Sequence, residues 1–116
     1  MKQETEINLE KQDDITIFDV QGDVTAFSEP FFTKAYQTAN DQAANKLLLK
    51  FTEDAYINSG GIAILIQLLA QTKRNNQQIC ITGLSSHFKK IFNMVGITKF
   101  AKIYNSVDEA VNDMAM

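Results

Sequence analysis

The chain has 116 residues, enough for one domain with its own core and too few for two ordinary ones. Its 45% hydrophobic content beside 22% charged residues excludes a disordered or membrane-embedded composition, so a single folded domain over 1–116 is expected. Eleven basic residues against 14 acidic ones leave a net charge of -3, without the positive excess that holds a phosphate backbone, and nucleic acid is not an expected partner.

The stretch Met1 to Glu10 sets Lys2 among Glu4, Glu6 and Glu10, and has neither the basic start nor the apolar run of a secretory signal. From Glu6 to Gln21 apolar residues alternate, Ile7 and Leu9 in one run and Ile15 and Ile17 in the next, with polar Lys11 to Asp14 between them. Period-two alternation on both sides of a polar turn predicts an opening β-hairpin. Gly22 and Asp23 end it. Ser28 then stands where a helix cap is wanted, with Glu29 and Pro30 in the first turn, and the helix is expected to run to about Ala44. Phe31, Phe32, Ala35, Tyr36, Ala39 and Ala43 form its apolar stripe.

Leu47, Leu48, Leu49 and Phe51 make a nearly continuous apolar strand, as found where both faces of a sheet are covered. After Asn58-Ser59-Gly60-Gly61, the run Ile62 to Thr72 is too long for a strand, and Lys73 and Arg74 suit a helix C-terminus. The longest apolar-rich run, Gly60 to Ala70, includes Gln67 and is well short of the roughly 20 apolar residues of a membrane helix, so no membrane insertion is expected. Asn75 and Asn76 turn the chain into a strand over Gln78 to Thr82, which gives a right-handed crossover between parallel strands. Ser85 or Ser86 opens a third helix with Phe88, Ile91, Phe92 and Val95 inward, and Gly96 stops it. A short strand near Lys102 to Tyr104 follows. Ser106 with Glu109 then forms a capping box for a last helix carrying Val107, Ala110, Val111 and Met114. The order β-β-α-β-α-β-α-β-α predicts an α/β fold, a mixed sheet of about five strands packed by about four helices.

Few residues offer chemistry. Cys80 is the only cysteine, which excludes an intramolecular disulfide and a multi-cysteine zinc site and fits a reducing cytoplasm. His87 lies beside Lys89 and Lys90 with no second ligand at metal spacing, and reads as a solvated helix residue. Asp13-Asp14 and Glu53-Asp54 are neighbouring carboxylates that define no acid and base about a substrate. No cofactor loop or nucleophile elbow occurs, so neither a cofactor nor an enzymatic activity is expected. Asn58-Ser59-Gly60-Gly61 stands apart because it ends a strand and begins a helix, where backbone N–H groups lack intrahelical partners. Asn58 or Ser59 caps that helix, and Gly60-Gly61 permits close approach of another backbone.

Three segments carry a resemblance that spans nearly the whole chain. Val20-Gln21-Gly22-Asp23-Val24 is similar to the Gly-Glu-Leu-Asp turn of STAS domains, with that family's aspartate falling on Thr25. Tyr56 to Leu65 resembles the family's Ile-Asp-Ser-Ser-Gly-Leu-Gly-Val-Leu loop and helix start. Ile81-Thr82-Gly83-Leu84 with Phe88 to Phe100 resembles its later strand, Gly-Leu turn and helix. The resemblance is to the anti-sigma-factor antagonists, and it implies docking to an anti-sigma factor of the histidine-kinase-like ATPase class, controlled by phosphorylation of the motif's second serine. Matching Gly61 to Leu65 onto the motif places Asn58 on the aspartate, Ser59 on the first serine and Gly60, which has no hydroxyl, on the phosphoacceptor. Sliding the motif by one residue makes Ser59 the acceptor but sets Ile57 on the aspartate. The resemblance thus implies a partner-binding set of Asp23, Thr25, Asn58, Ser59, Gly60 and Gly61, with Ser59 a secondary phosphorylation site; of Phe27, Phe31 and Phe32, which follow the first turn, Phe27 is expected to add an exposed aromatic to it. Use of the same domain as an adaptor in a membrane transport or signalling assembly is the alternative, and a homodimer through a sheet edge stays open.

Overall fold

The structure, a computed structural model, describes residues 4–114; Met1 to Gln3 and the last two residues, which the single-domain reading also included, lie outside the described residues. The expected hairpin is present as β1 (Glu6–Gln12) and β2 (Ile15–Gln21), paired antiparallel without a break in register. Asp13 turns the chain with a φ of 55°, a left-handed conformation that aspartate tolerates better than most residues. Helix α1 (Glu29–Asp41) leads to β3 (Lys46–Lys50), α2 (Ser59–Arg74) to β4 (Gln78–Thr82), α3 (Ser86–Met94) to β5 (Lys102–Tyr104), and α4 (Val107–Met114) follows. The strands lie in the order β1-β2-β3-β4-β5, with every pair after the first parallel. This is the expected mixed five-stranded sheet with four helices.

Strand alternation assigns the two faces. Phe18, Val20, Leu47, Leu49, Ile79 and Ile81 pack with Phe32, Ala35 and Tyr36 of α1, Leu65 and Leu69 of α2, and Phe92 of α3. Ile15, Ile17, Leu48 and Cys80 face the other way, against Ala110, Val111 and Met114 of α4. The run of leucines in β3 is therefore buried on both sides, as its pattern predicts.

Three expectations at helix surfaces give way to the structure. Helix α1 stops at Asp41, three residues before Ala44, because Ala43 takes a left-handed φ of 58° and its N–H and that of Ala44 close back on Asn40 and Ala39. Ala43 is thereby rotated off the apolar stripe into solvent. Phe31, placed on the same stripe, is 43% exposed, because the buried arc of α1 centres on Phe32, Ala35, Tyr36 and Ala39. Val95 is 45% exposed where α3 ends, since the helix closes one residue earlier and Gly96 takes the left-handed position.

Alanine in a left-handed C-terminal position carries steric strain that glycine avoids. Ala43→Gly is expected to raise the unfolding free energy by about 0.5–1 kcal/mol, the relief exceeding glycine's extra unfolded-state entropy. Urea denaturation would show a higher midpoint at an unchanged slope.

Candidate partner-docking site

The segment that leaves β2 turns at Gly22, whose φ is 82°, and then runs beside the segment that leaves β3. Val24 and Ile57 form a parallel bridge in which the Val24 N–H donates to the Tyr56 carbonyl at 2.9 Å and the Asn58 N–H donates to the Val24 carbonyl at 3.1 Å. Both side chains of the bridge are buried. The site therefore sits at the C-terminal edge of the parallel strands, where α/β sheets present their loops.

Thr25 caps the short 3-10 turn Ala26–Ser28: its side chain accepts the Phe27 N–H at 3.1 Å, and its own N–H donates to the Ser28 hydroxyl at 2.9 Å. Ser28 precedes α1 as expected, but it does not cap that helix with its side chain. It is buried, and its hydroxyl reaches inward to the Asp23 carbonyl at 3.3 Å and to the Thr5 hydroxyl. The Thr5 hydroxyl also donates to the Asp23 carbonyl, at 2.6 Å. Asp23 thus serves through its main chain as the point where β1's lead-in, the turn and α1 are tied together.

Asn58, rather than Ser59, caps α2, accepting the Gly61 N–H at 2.9 Å. Gly61 is buried directly beneath Val24: a Cβ there would lie 2.2 Å from the Val24 carbonyl oxygen. A Cβ at Gly60 would lie 3.0 Å from the Ala26 nitrogen. The backbone that the two glycines admit is the chain's own Val24–Ala26 segment, so Gly61, expected among the partner contacts, has no surface to offer and acts by letting the two loops close.

What this clasp presents outward is apolar and polar together. Phe27, at the crest of the turn over Gly60, is 84% exposed, and Tyr56, one residue before the bridge, is 55% exposed. Ser59, at the first position of α2, is also exposed, as are Glu29, Glu53 and Asp54 in the flanking segments. The structure brings Thr25, Phe27, Asn58, Ser59 and Gly60 into one neighbourhood. Tyr56 and the Thr5–Ser28 link were not singled out from the sequence; Tyr56 carried a signal, an aromatic out of phase with the buried Ile57.

Against the known families, the model described as the STAS domain matches residues 6–110. The chain belongs to the STAS domain family. Among curated relatives of this STAS chain, the anti-sigma-B factor antagonist of Listeria monocytogenes is 24% identical over 100 residues, spanning 86% of this chain and 87% of that protein. Solved structures of anti-sigma factor antagonists share the fold. An anti-sigma factor antagonist from Mycobacterium paratuberculosis superposes with a TM-score of 0.80 at 15% identity, covering 97% of this chain and 96% of the other. The anti-sigma factor antagonist SpoIIAA in its unphosphorylated form gives 0.74 at 15% identity, over 95% and 96%.

Elsewhere in this STAS domain the reactive side chains are turned to packing. The Cys80 thiol is buried under α4 and donates to the Met114 sulfur at 3.1 Å; burial, with Asp113 adding a smaller effect, pushes its pKa up to about 12. Partial burial, then its hydrogen bond to Asp113, pushes Tyr104 up to about 12. Both groups hold their protons longer folded than unfolded, so stability is fully present below the unfolded thiol's pKa of about 8.5 and falls as pH rises towards about 12. Equilibrium urea melts across that range are expected to show the fall, and Cys80→Ala is expected to leave only the Tyr104 part. His87 is exposed on α3 against the edge of Phe88, and among the described residues no group of three or more His, Cys, Asp or Glu is placed to hold a metal. No helix among the described residues is long and apolar enough to cross a membrane.

Proposed function

We propose that this STAS domain works in the cytoplasm as an anti-sigma factor antagonist: it sequesters an anti-sigma factor of the histidine-kinase-like ATPase class and so frees a sigma factor. It acts by docking and not by turnover. The single observation that supports this best is the clasp itself, in which Gly61 seats the Val24–Ala26 segment on the start of α2 and leaves Phe27 and Ser59 exposed on its two loops. Exposed aromatic residues on the loops at a helix N-terminus, with exposed carboxylates in the flanking segments, have the composition of a protein-binding surface.

Control differs from the family's usual scheme. Gly60 stands at the phosphoacceptor position and carries no hydroxyl, so the complex forms whether or not the partner has ATP. The deciding experiment is a titration of the purified chain against a kinase-type anti-sigma factor, with and without ATP, followed by intact-mass analysis. The expected result is tight binding in both conditions with no added phosphate. A phosphate localised to Ser59, abolished by Ser59→Ala, would instead restore a switch one residue earlier; there a dianion would add to the charge of Glu53 and Asp54 and repel an acidic partner surface. Failure to bind overturns the antagonist reading. It would favour the second one, an adaptor in a transport or signalling assembly, for which the missing hydroxyl at Gly60 is the specific argument.

A further inference from the structure

The outer edge of the sheet runs away from the site described above, from Thr5 at the clasp along β1. Strand β1 pairs only with β2, so the other side of its backbone has no strand against it among the described residues. Edge strands of soluble proteins are usually kept from pairing by shortness, proline, a bulge, an inward charge or charged side chains along the edge, and of these β1 has only the last, in Glu6, Glu10 and Lys11. Strand β5, at the opposite edge, is short, with only three residues. Strand β1 has seven residues in unbroken register and contains no proline. Its hydrogen-bonding edge is a usable template.

The two faces of that edge differ in chemistry. On the α1 side, Ile7 and Leu9 are only half-buried, and between them and α1 runs a groove of about 270 Å³ whose wall includes Phe31, Lys34, Ala35 and Thr38, with Thr5 and Glu6 at its end. Phe31, turned away from the core stripe, is what gives this groove an apolar wall. On the other side Glu6, Asn8 and Glu10 are exposed in a row, and Asp19 of β2 is the cross-strand neighbour of Asn8. Alternation therefore asks an added strand for apolar residues on one face and positive charge on the other. A second copy of the chain fits this poorly, since pairing β1 with β1 would gather Glu6 and Glu10 of both copies on one face.

We infer that the free edge of β1 is a docking site for an extended segment of a partner protein in which apolar residues alternate with lysine or arginine, added as a sixth strand. Main-chain hydrogen bonds would supply the attachment, the Ile7–Leu9–Phe31 groove the apolar fit, and Glu6 and Glu10 the choice of charge. This surface meets the clasp at Thr5, whose hydroxyl bonds Ser28 and the Asp23 carbonyl, and extends from there along β1.

The test uses the whole chain and two synthetic peptides of seven residues, capped at both ends, one alternating lysine with valine and the other glutamate with valine. Amide chemical shifts are followed during each titration. The lysine peptide is expected to move the amides of β1 with a Kd below about 1 mM and to bind about tenfold tighter than the glutamate peptide. The exposed-charge variant Glu6→Lys/Glu10→Lys is expected to reverse that preference while its unfolding midpoint stays in place. Equal binding of the two peptides, shifts centred away from β1, or no binding would overturn the proposal. So would β1 amides that broaden with protein concentration alone, which would assign the edge to self-association.

Discussion

Gly61→Ala is expected to lower the unfolding free energy by about 2–4 kcal/mol and to disorganise the docking site with it. Two effects oppose each other. Alanine is the better helix former, favouring the substitution by about 1 kcal/mol in the first turn of α2. The added methyl, however, would stand 2.2 Å from the Val24 carbonyl oxygen, a backbone atom that cannot swing aside. Relieving the clash means pushing Val24 off Ile57, which gives up the two hydrogen bonds of the bridge and opens buried apolar surface. That loss is the larger. Urea melts measure it, and amide exchange identifies it: the Val24 and Asn58 N–H groups should exchange much faster in the variant while those of β3 and β4 keep most of their protection. Gly60→Ala makes a useful contrast. Its methyl meets the Ala26 nitrogen at 3.0 Å, a contact relieved by a few tenths of an ångström, so the helix-propensity gain offsets the strain and stability should change by less than about 1 kcal/mol. A Gly61→Ala protein as stable as the parent would show that the bridge is not held by this contact.

The same contact explains why the frame of the molecule was legible in the sequence and parts of the site were not. Strand and helix periods depend on neighbours a few residues away, and the hairpin, the doubly buried β3 and the order of all nine elements follow from them. Helix ends depend on finer local choices. Ala43 is a poor residue for a left-handed turn, and nothing in composition marks it as the one that stops α1; the closure of Ala44 back onto Ala39 decides it. Gly61 poses a longer-range problem. A glycine pair at a strand-to-helix turn signals a close approach, but not of what, and the answer, Val24, lies far back in the chain and is brought there by the parallel pairing of β2 with β3. Ser28 is a similar case. Its position reads as a cap, while its hydroxyl is claimed by Asp23 and Thr5, a partner that only the hairpin brings within reach. Phe27 was legible for a simpler reason: it falls in the short stretch just ahead of a helix start, outside the apolar stripe that the helix period assigns to the core.

Phe27→Ala is expected to separate function from stability. The ring is 84% exposed, so its removal takes little packing from the folded state, and the unfolding free energy should move by less than about 0.5 kcal/mol. The turn keeps its shape, because Thr25 and Ser28 hold it through the Phe27 main chain and their own hydroxyls, none of which the substitution touches. Binding to a kinase-type anti-sigma factor should nevertheless weaken by roughly 30-fold or more, the loss of about 2 kcal/mol typical of a central aromatic contact. Calorimetric titration of parent and variant measures this directly. Phe31→Ala is the matched control, since Phe31 is also exposed, at 43%, but lines the groove beside β1 rather than the clasp. Its effect on the same titration should be within about twofold. If Phe31→Ala weakened binding and Phe27→Ala did not, the anti-sigma factor would be engaging the sheet edge, and the clasp would be a structural fastening alone. If both lost affinity alike, the partner would have to span both surfaces, and the edge of β1 would not be a separate docking site.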